Sequence, residues 1–452
     1  MSTAFKFHLI LQVFKRVKQS FKEELPPTFG IIFDGWSCEG EHYIGVFASW
    51  VNKSGGVCER LLACGVQGIP KTAADAEDFG FTAEDIGDYI YDVLSSYSRS
   101  FDAIEFICGD NASVNRRLSQ LIKAWWLSQK GIRKVIPLVG CASHRLNLAV
   151  QHLYDEKSGY HEVVEKVNAL MTDLGTMKNK IKLAVVTPLN PVKRNDTRWG
   201  STFAMLRRFL EIQPNLGSGS FSESTKAKFL SVAEIYLVNA LAEQLYKCEK
   251  ASIFLQKNDP HMVNLLSVRV IFDKLIEEIP ELAAYLSNNS SIVVNKDFEN
   301  AVVKLQKGQE LTTREKSMLG SFKVSTDDEN TPADGEAMSY EEEVMRSVEA
   351  TRALVKKAEF KSNLHVSPTS TIVERTFSRA GIIMRPHRRH MDPSTLEMLL
   401  MLRLNKDMWS EKTIQDIIDD KNAANRERAR LRAEAAEKAK SQEGAEDEDM
   451  FE

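Results

Sequence analysis

Two aspartates stand where chemistry is possible. The apolar run Phe29 to Phe33 ends at Asp34, and after a short polar turn comes Tyr43 to Val51, rich in β-branched and aromatic residues. This pattern predicts a hairpin of two buried strands with Asp34 at the tip of the inner one. Another short apolar strand, Ala103 to Cys108, runs into Gly109-Asp110-Asn111. A carboxylate at the end of a buried strand must be neutralised, paired or bound to a metal. A third strand and a helix are expected between the two, giving the order β-β-β-α-β. A strand reached through a helical crossover runs parallel to the one it returns to and is often its neighbour. Side by side, the two strands would bring Asp34 and Asp110 out at one edge of the sheet. Carboxylates that close raise each other's pKa unless a cation lies between them, and hard oxygen donors suit Mg²⁺ or Mn²⁺. The structural alternatives are a turn-capping aspartate at Asp34 and a helix N-cap at Asp110-Asn111.

The remaining elements have to hold those aspartates in place. Residues 1 to 25 read as one amphipathic helix stopped by Pro26-Pro27, and a third strand, Glu59 to Val66, follows the Lys53-Ser-Gly-Gly56 turn. Thr82-Ala-Glu-Asp85 has the form of a capping box, with Ile86, Tyr89, Ile90, Val93 and Leu94 at helical spacing behind it. Ser113 to Trp126 is a helix, Val135 to Gly140 a fifth strand, and Cys141-Ala-Ser-His144 opens another helix. Residues 160 to 290 are helical, broken by a polar turn, Asn195 to Ser201, ahead of a helix from Thr202 to Ile212. The segment 305 to 340 has few apolar residues and reads as an exposed linker. Order returns over Ser362 to Asn405, where Glu374 lies in the first turns of a helix among apolar neighbours. Asp392-Pro393 starts a second helix so rich in Leu and Met that a core shared between subunits is expected. Trp409 to Lys440 is a long charged helix ahead of an acidic tail.

Composition is that of an ordinary globular chain of 452 residues, long enough for two or three domains. No run of about 18 apolar residues predicts a membrane span. The six cysteines form no CxxC pair, so a disulfide framework and a zinc finger are not indicated, and a reducing compartment fits best. The net charge of −4 conceals three basic blocks, Arg116 to Lys134, Lys178 to Arg208 and Arg375 to Arg403. Each is a phosphate-contact surface or a solvated helix face.

Taken together, the motifs resemble those of the hAT transposase family, DNA transposases with an RNase H-like catalytic domain and a C-terminal dimerisation region. The resemblance runs from about residue 29 to 409. Its carriers are Phe33-Asp34-Gly-Trp36-Ser37, Gly109-Asp110-Asn111-Ala112, the CxxH form Cys141-Ala-Ser-His144 with Asn147-Leu148, and Thr197-Arg198-Trp199. The last is Ser370-x-x-x-Glu374-Arg375-x-Phe377-Ser378-x-Ala380-Gly381, followed by Arg388 and Asn405. It implies an α/β fold in which an RNase H-like mixed sheet is interrupted by a large all-helical insertion. It also implies that Asp34, Asp110 and Glu374 are a DDE triad binding Mg²⁺ or Mn²⁺ for DNA cleavage and strand transfer. His144 is then expected near the scissile phosphate, and Arg198 and Trp199 on a flipped base and the flanking hairpin. Arg375 and Arg388, in the third basic block, are expected on DNA, and residues 362–405 at a homodimer or higher oligomer interface in the nucleus.

The corresponding division is an N-terminal helix (1–28), the first part of the catalytic domain (29–140), a helical insertion with a flexible linker near 305–340 (141–360), the catalytic helix and dimerisation region (361–409), and a charged helix with an acidic tail (410–452). The family carries an N-terminal BED-type zinc finger, and no Cys/His cluster precedes residue 29 in this chain. The competing expectation is therefore a domesticated, catalytically silent DNA- or chromatin-binding dimerisation protein. A generic RNase H-like nuclease fits the long insertion and the C-terminal region less well.

Overall fold

A computed structural model describes residues 3–66, 82–195, 199–257, 259–323, 360–384 and 391–448. The protein is mixed α/β. After helix α1 (Thr3–Glu24), strands β1 (Phe29–Cys38), β2 (Glu41–Val51) and β3 (Val57–Val66) form an antiparallel meander. Helix α2 (Ala83–Ser96) carries the chain across to β4 (Ile104–Gly109), which pairs parallel with β1, and helix α3 (Ser113–Lys130) leads to β5 (Leu138–Gly140), parallel to β4. The sheet order is β3-β2-β1-β4-β5, so β1 is central and its neighbour across the crossover is β4. The capping box at Thr82 is formed, with Thr82 accepting from the Asp85 amide and Asp85 accepting in return.

A helical block follows. It contains α4 (Ala142–His152), α5 (His161–Leu174), α6 (Met177–Val186), α7 (Trp199–Ile212), α8 (Val232–Leu255) and α9 (Leu265–Glu278). Its apolar side chains, from Ala142 to Leu286, make a core of their own. The chain then returns to the sheet. Phe298 and Val302 of α10 (Lys296–Lys307), with Leu319 and Phe322 beyond it, join the core formed by the sheet, α1, α2 and α3. Three further helices are α11 (Thr371–Ile383), α12 (Pro393–Leu404) and α13 (Glu411–Glu448).

Two buried polar links hold these parts together. His365 Nε2 lies 2.7 Å from Glu105 Oε2 on β4, and Thr28 Oγ1 donates to the other Glu105 oxygen at 2.7 Å. Ser49 Oγ donates to the His365 carbonyl at 2.8 Å, so the segment ahead of α11 is pinned to both β2 and β4. Arg145 on α4 donates to Glu299 on α10 and to the carbonyls of Tyr285, Leu286 and Ser287, joining the helical block to the returning chain.

Several expectations change. Asp34 is not at a strand tip. β1 continues to Cys38, and the hairpin turns at Glu39 and Gly40, whose φ values of 53° and 86° match the right-handed twist of the strands. Asp34 instead lies in mid-strand, opposite Gly45 of β2 and just past Ile32, the last β1 residue paired with β4. The fifth strand starts at Leu138 rather than Val135. The segment read as a linker near 305–340 is structured over its first part, with the end of α10, a short helix Thr313–Met318 and a turn Gly320–Phe322. Two factors organise it: the capping box at Thr312 and burial of Leu319 and Phe322. Residues 324–359 lie outside the described residues. The apolar positions of α12 are covered within one chain: Leu396, Met398, Leu400, Met401 and Leu402 are all buried by packing that involves β3, α1 and α11. Their number therefore does not require a second subunit.

Candidate active site

Asp34, Asp110, His144, Trp199 and Glu374 all line one open cleft of about 750 Å³. They come from β1, the end of β4, α4, α7 and α11. Asp34 and Asp110 share an edge because β1 and β4 are parallel neighbours. Glu374 joins them because the segment before α11 is tied to the start of α4. Gly109 O accepts from the Cys141 amide at 2.7 Å, Pro368 O from the Ala142 amide at 2.8 Å, and Cys141 Sγ from the Ser370 amide at 3.4 Å. These bonds place the last residues of β4, the CxxH turn and the N-terminus of α11 side by side.

The depth of α11 on the sheet depends on a glycine. A Cβ at Gly45, the residue opposite Asp34, would fall 2.6 Å from Val373 Cγ1 and 3.3 Å from the Phe377 ring. With hydrogen there, α11 packs close enough for Glu374 to share the cleft with Asp34. On the next turn Phe377 stacks on Trp36 of β1, with centroids 5.6 Å apart and planes at 22°.

The three carboxylates have different surroundings. Asp34 Oδ1 accepts from the Gly35 amide at 2.9 Å and Oδ2 from Ser370 Oγ at 3.2 Å. Burial pushes its carboxyl up from 3.8 to about 7, and the negative charges of Glu374 and Asp110 push in the same direction against those two hydrogen bonds. Asp110 Oδ1 accepts from the Ala112 amide at 3.0 Å and from Asn115 Nδ2 at 2.6 Å. The N-cap of α3 is Ala112, with no side-chain cap bond, so the expected Asp110-Asn111 cap is not formed; Asp110 closes the turn ahead of the helix, and Oδ2 lies outside those two bonds. Glu374, half-buried, projects from the first turn of α11.

As a donor set, three carboxylates facing one cleft suit a hard divalent cation in kind. Among the described residues, no three His, Cys, Asp or Glu side chains are gathered closely enough to grip an ion.

Of the basic residues expected on DNA, Arg375 alone lies among the described residues. Arg375 does not line the cleft. Its Nη1 donates to Gln256 O at 2.7 Å, and it lies near Glu59, whose carboxyl burial pushes up to about 7 and Arg375 pulls back. Arg198 and Arg388 lie outside the described residues. Trp199, 7% exposed, opens α7 and borders the cleft together with Gly200.

Sequence reasoning missed Ser370 as the residue that bonds Asp34. Its only signal was its place in the Ser-x-x-x-Glu374 spacing. It also missed Glu249, Ser252, Ile253 and Gln256 along the end of α8, which line the same cleft. No local pattern marks them, since their role follows from how α8 lies against α11. Comparison with known proteins returned no matching family model and no matching curated relative. Among the described residues, no helix is long and apolar enough to cross a membrane.

Proposed function

We propose that this protein is a hAT-like DNA transposase or a transposase-derived nuclease with an RNase H-like catalytic domain. It would cleave and join DNA phosphodiesters with Mg²⁺ or Mn²⁺. One observation carries the reading: Asp34, Asp110 and Glu374, from distant stretches of the sequence, open into one cleft with His144 and Trp199. The sheet order, three antiparallel strands followed by two parallel ones, supports it.

In this reading Asp34, Asp110 and Glu374 are the residues that would hold the metal, and the chemistry it would supply is activation of the attacking oxygen and stabilisation of the leaving one. The chain's own contribution is placement. Ser370 fixes the Asp34 carboxylate, Asn115 fixes Asp110, and Gly45 sets the depth of Glu374. His144, on the first turn of α4, is within the cleft to meet the scissile phosphate. The Trp199 ring borders the same space, where it can bear on an unstacked base.

Residues 362–405 are proposed to contribute to a homodimer. Ile382 on α11, 56% exposed, is an apolar position there that the other described residues leave uncovered. Such a protein would act on chromosomal DNA in the nucleus. The alternative is a domesticated protein that binds DNA or chromatin without cutting it.

Cleavage of a labelled duplex by the purified chain, with Mg²⁺ or Mn²⁺ and with chelator, tests the reading. Asp34→Asn, Asp110→Asn and Glu374→Gln should each reduce cleavage by about 10²-fold or more while the fold is kept. Cleavage that survives all three substitutions would overturn the mechanism. A wild type that binds DNA and never cuts it would favour the silent alternative.

A further inference from the structure

The end of α8 has a composition unlike the carboxylate wall. Glu249, Ser252, Ile253 and Gln256 are spaced to share one face of the helix, and all four line the cleft. Ile253 is 53% exposed there, and Gln256 Nε2 is 3.2 Å from Ser252 Oγ. An exposed aliphatic side chain and an amide suit the flat face and polar edge of a nucleobase, whereas the Glu249 carboxylate repels a phosphate.

This wall is braced. Arg375 follows Glu374 directly, and its guanidinium donates to the carbonyl of Gln256, the C-cap residue of α8. A cation there meets the negative end of the helix dipole and satisfies a terminal carbonyl. One residue therefore connects the helix bearing Glu374 to the opposing wall and sets the distance between them.

Building on the function proposed above, we infer that the last two turns of α8, held by Arg375, form the nucleobase-facing wall of the cleft. The bound strand then turns its phosphates toward Asp34, Asp110 and Glu374 and its bases toward Ile253 and Gln256. Arg375 is a positioning residue rather than a phosphate ligand.

Fluorescence anisotropy tests this with the full chain in a Glu374→Gln background, so that bound DNA is not cut. One probe is a fluorescein-labelled single-stranded oligonucleotide, and the other is the same backbone with abasic sites in place of its bases. Ile253→Ala and Gln256→Ala should each weaken binding of the base-bearing strand about fivefold and leave the abasic strand unchanged. Arg375→Gln should reproduce that selective loss, and Arg375→Lys, which keeps a cation at the helix end, should remain closer to the parent.

Equal losses on both strands, or no loss on the base-bearing one, would overturn the wall. If wild type cuts DNA while the α8 variants bind both strands like their Glu374→Gln parent, this inference fails and the function stands. A chain that binds neither strand also overturns the wall, and duplex cleavage then decides the function separately.

Discussion

At the scale of single residues, Asp34 is the group whose behaviour is most open to measurement. Its carboxyl in the folded protein titrates near 7 against an ordinary 3.8. Between those values the folded state holds a proton that the unfolded chain has lost. Stability from this group is therefore present at low pH and is lost as pH rises through about 7. Asp34→Asn has no such slope. Metal-free wild type should lose more melting temperature than Asp34→Asn between about pH 5 and pH 8. Glu59, also raised to about 7, contributes alike to both proteins and cancels. Parallel melting curves would refute the shift. Ser370→Ala removes a hydroxyl that favours the ionised form. The ascending limb of the cleavage pH profile should move up by about half a unit to one unit, the equivalent of one ordinary hydrogen bond.

At the scale of elements, the decisive contact is α11 on β1 and β2. Gly45→Ala places a methyl 2.6 Å from Val373 Cγ1, inside van der Waals range. The helix must shift, at a cost of about 1–3 kcal/mol. Because the shift moves Glu374, cleavage should fall by more than the loss of stability explains. Val373→Ala makes room for that methyl. The double variant should be more stable than the sum of the single effects predicts, a coupling measurable by denaturant unfolding. Strict additivity would show that α11 does not rest on Gly45 in solution.

At the scale of the whole molecule, the helical block and the sheet have separate apolar cores, with Leu265 of α9 reaching into the sheet's core and polar links joining the two. Arg145 is the principal one. It is 4% exposed and serves Glu299 and three carbonyls at once. Arg145→Ala strands a buried carboxylate and those carbonyls, which costs about 3–5 kcal/mol. Differential scanning calorimetry should show the two cores melting in separate steps in this variant, closer together in wild type. A single transition in the variant, displaced only slightly, would argue that apolar contact alone joins them. In either case the carboxylates of the sheet depend on α4 and α11 for their surroundings.

Much of this was legible along the chain. Period-two and helical hydrophobic patterns gave the meander, the crossover and the capping box at Thr82, because burial on one face leaves its mark on local sequence. The β-β-β-α-β order was enough to put Asp34 and Asp110 on one edge, because a crossover strand returns parallel. What the sequence could not show were relations between distant residues. The third basic block read as a phosphate contact or a solvated face, and nothing local showed that Arg375, half-buried, bonds a helix end that lies 119 positions earlier in the chain. The apolar excess of α12 suggested a partner subunit, and β3 and α1 already cover it. Asp34 looked like a strand tip because β1 turns polar there, although the strand continues. By itself the sequence determined which side chains could do chemistry and which elements would carry them. Only the tertiary structure decided that Ser370 holds Asp34, that Gly45 admits Glu374 and that α8 closes the cleft, since each depends on a close contact between segments that no local pattern encodes.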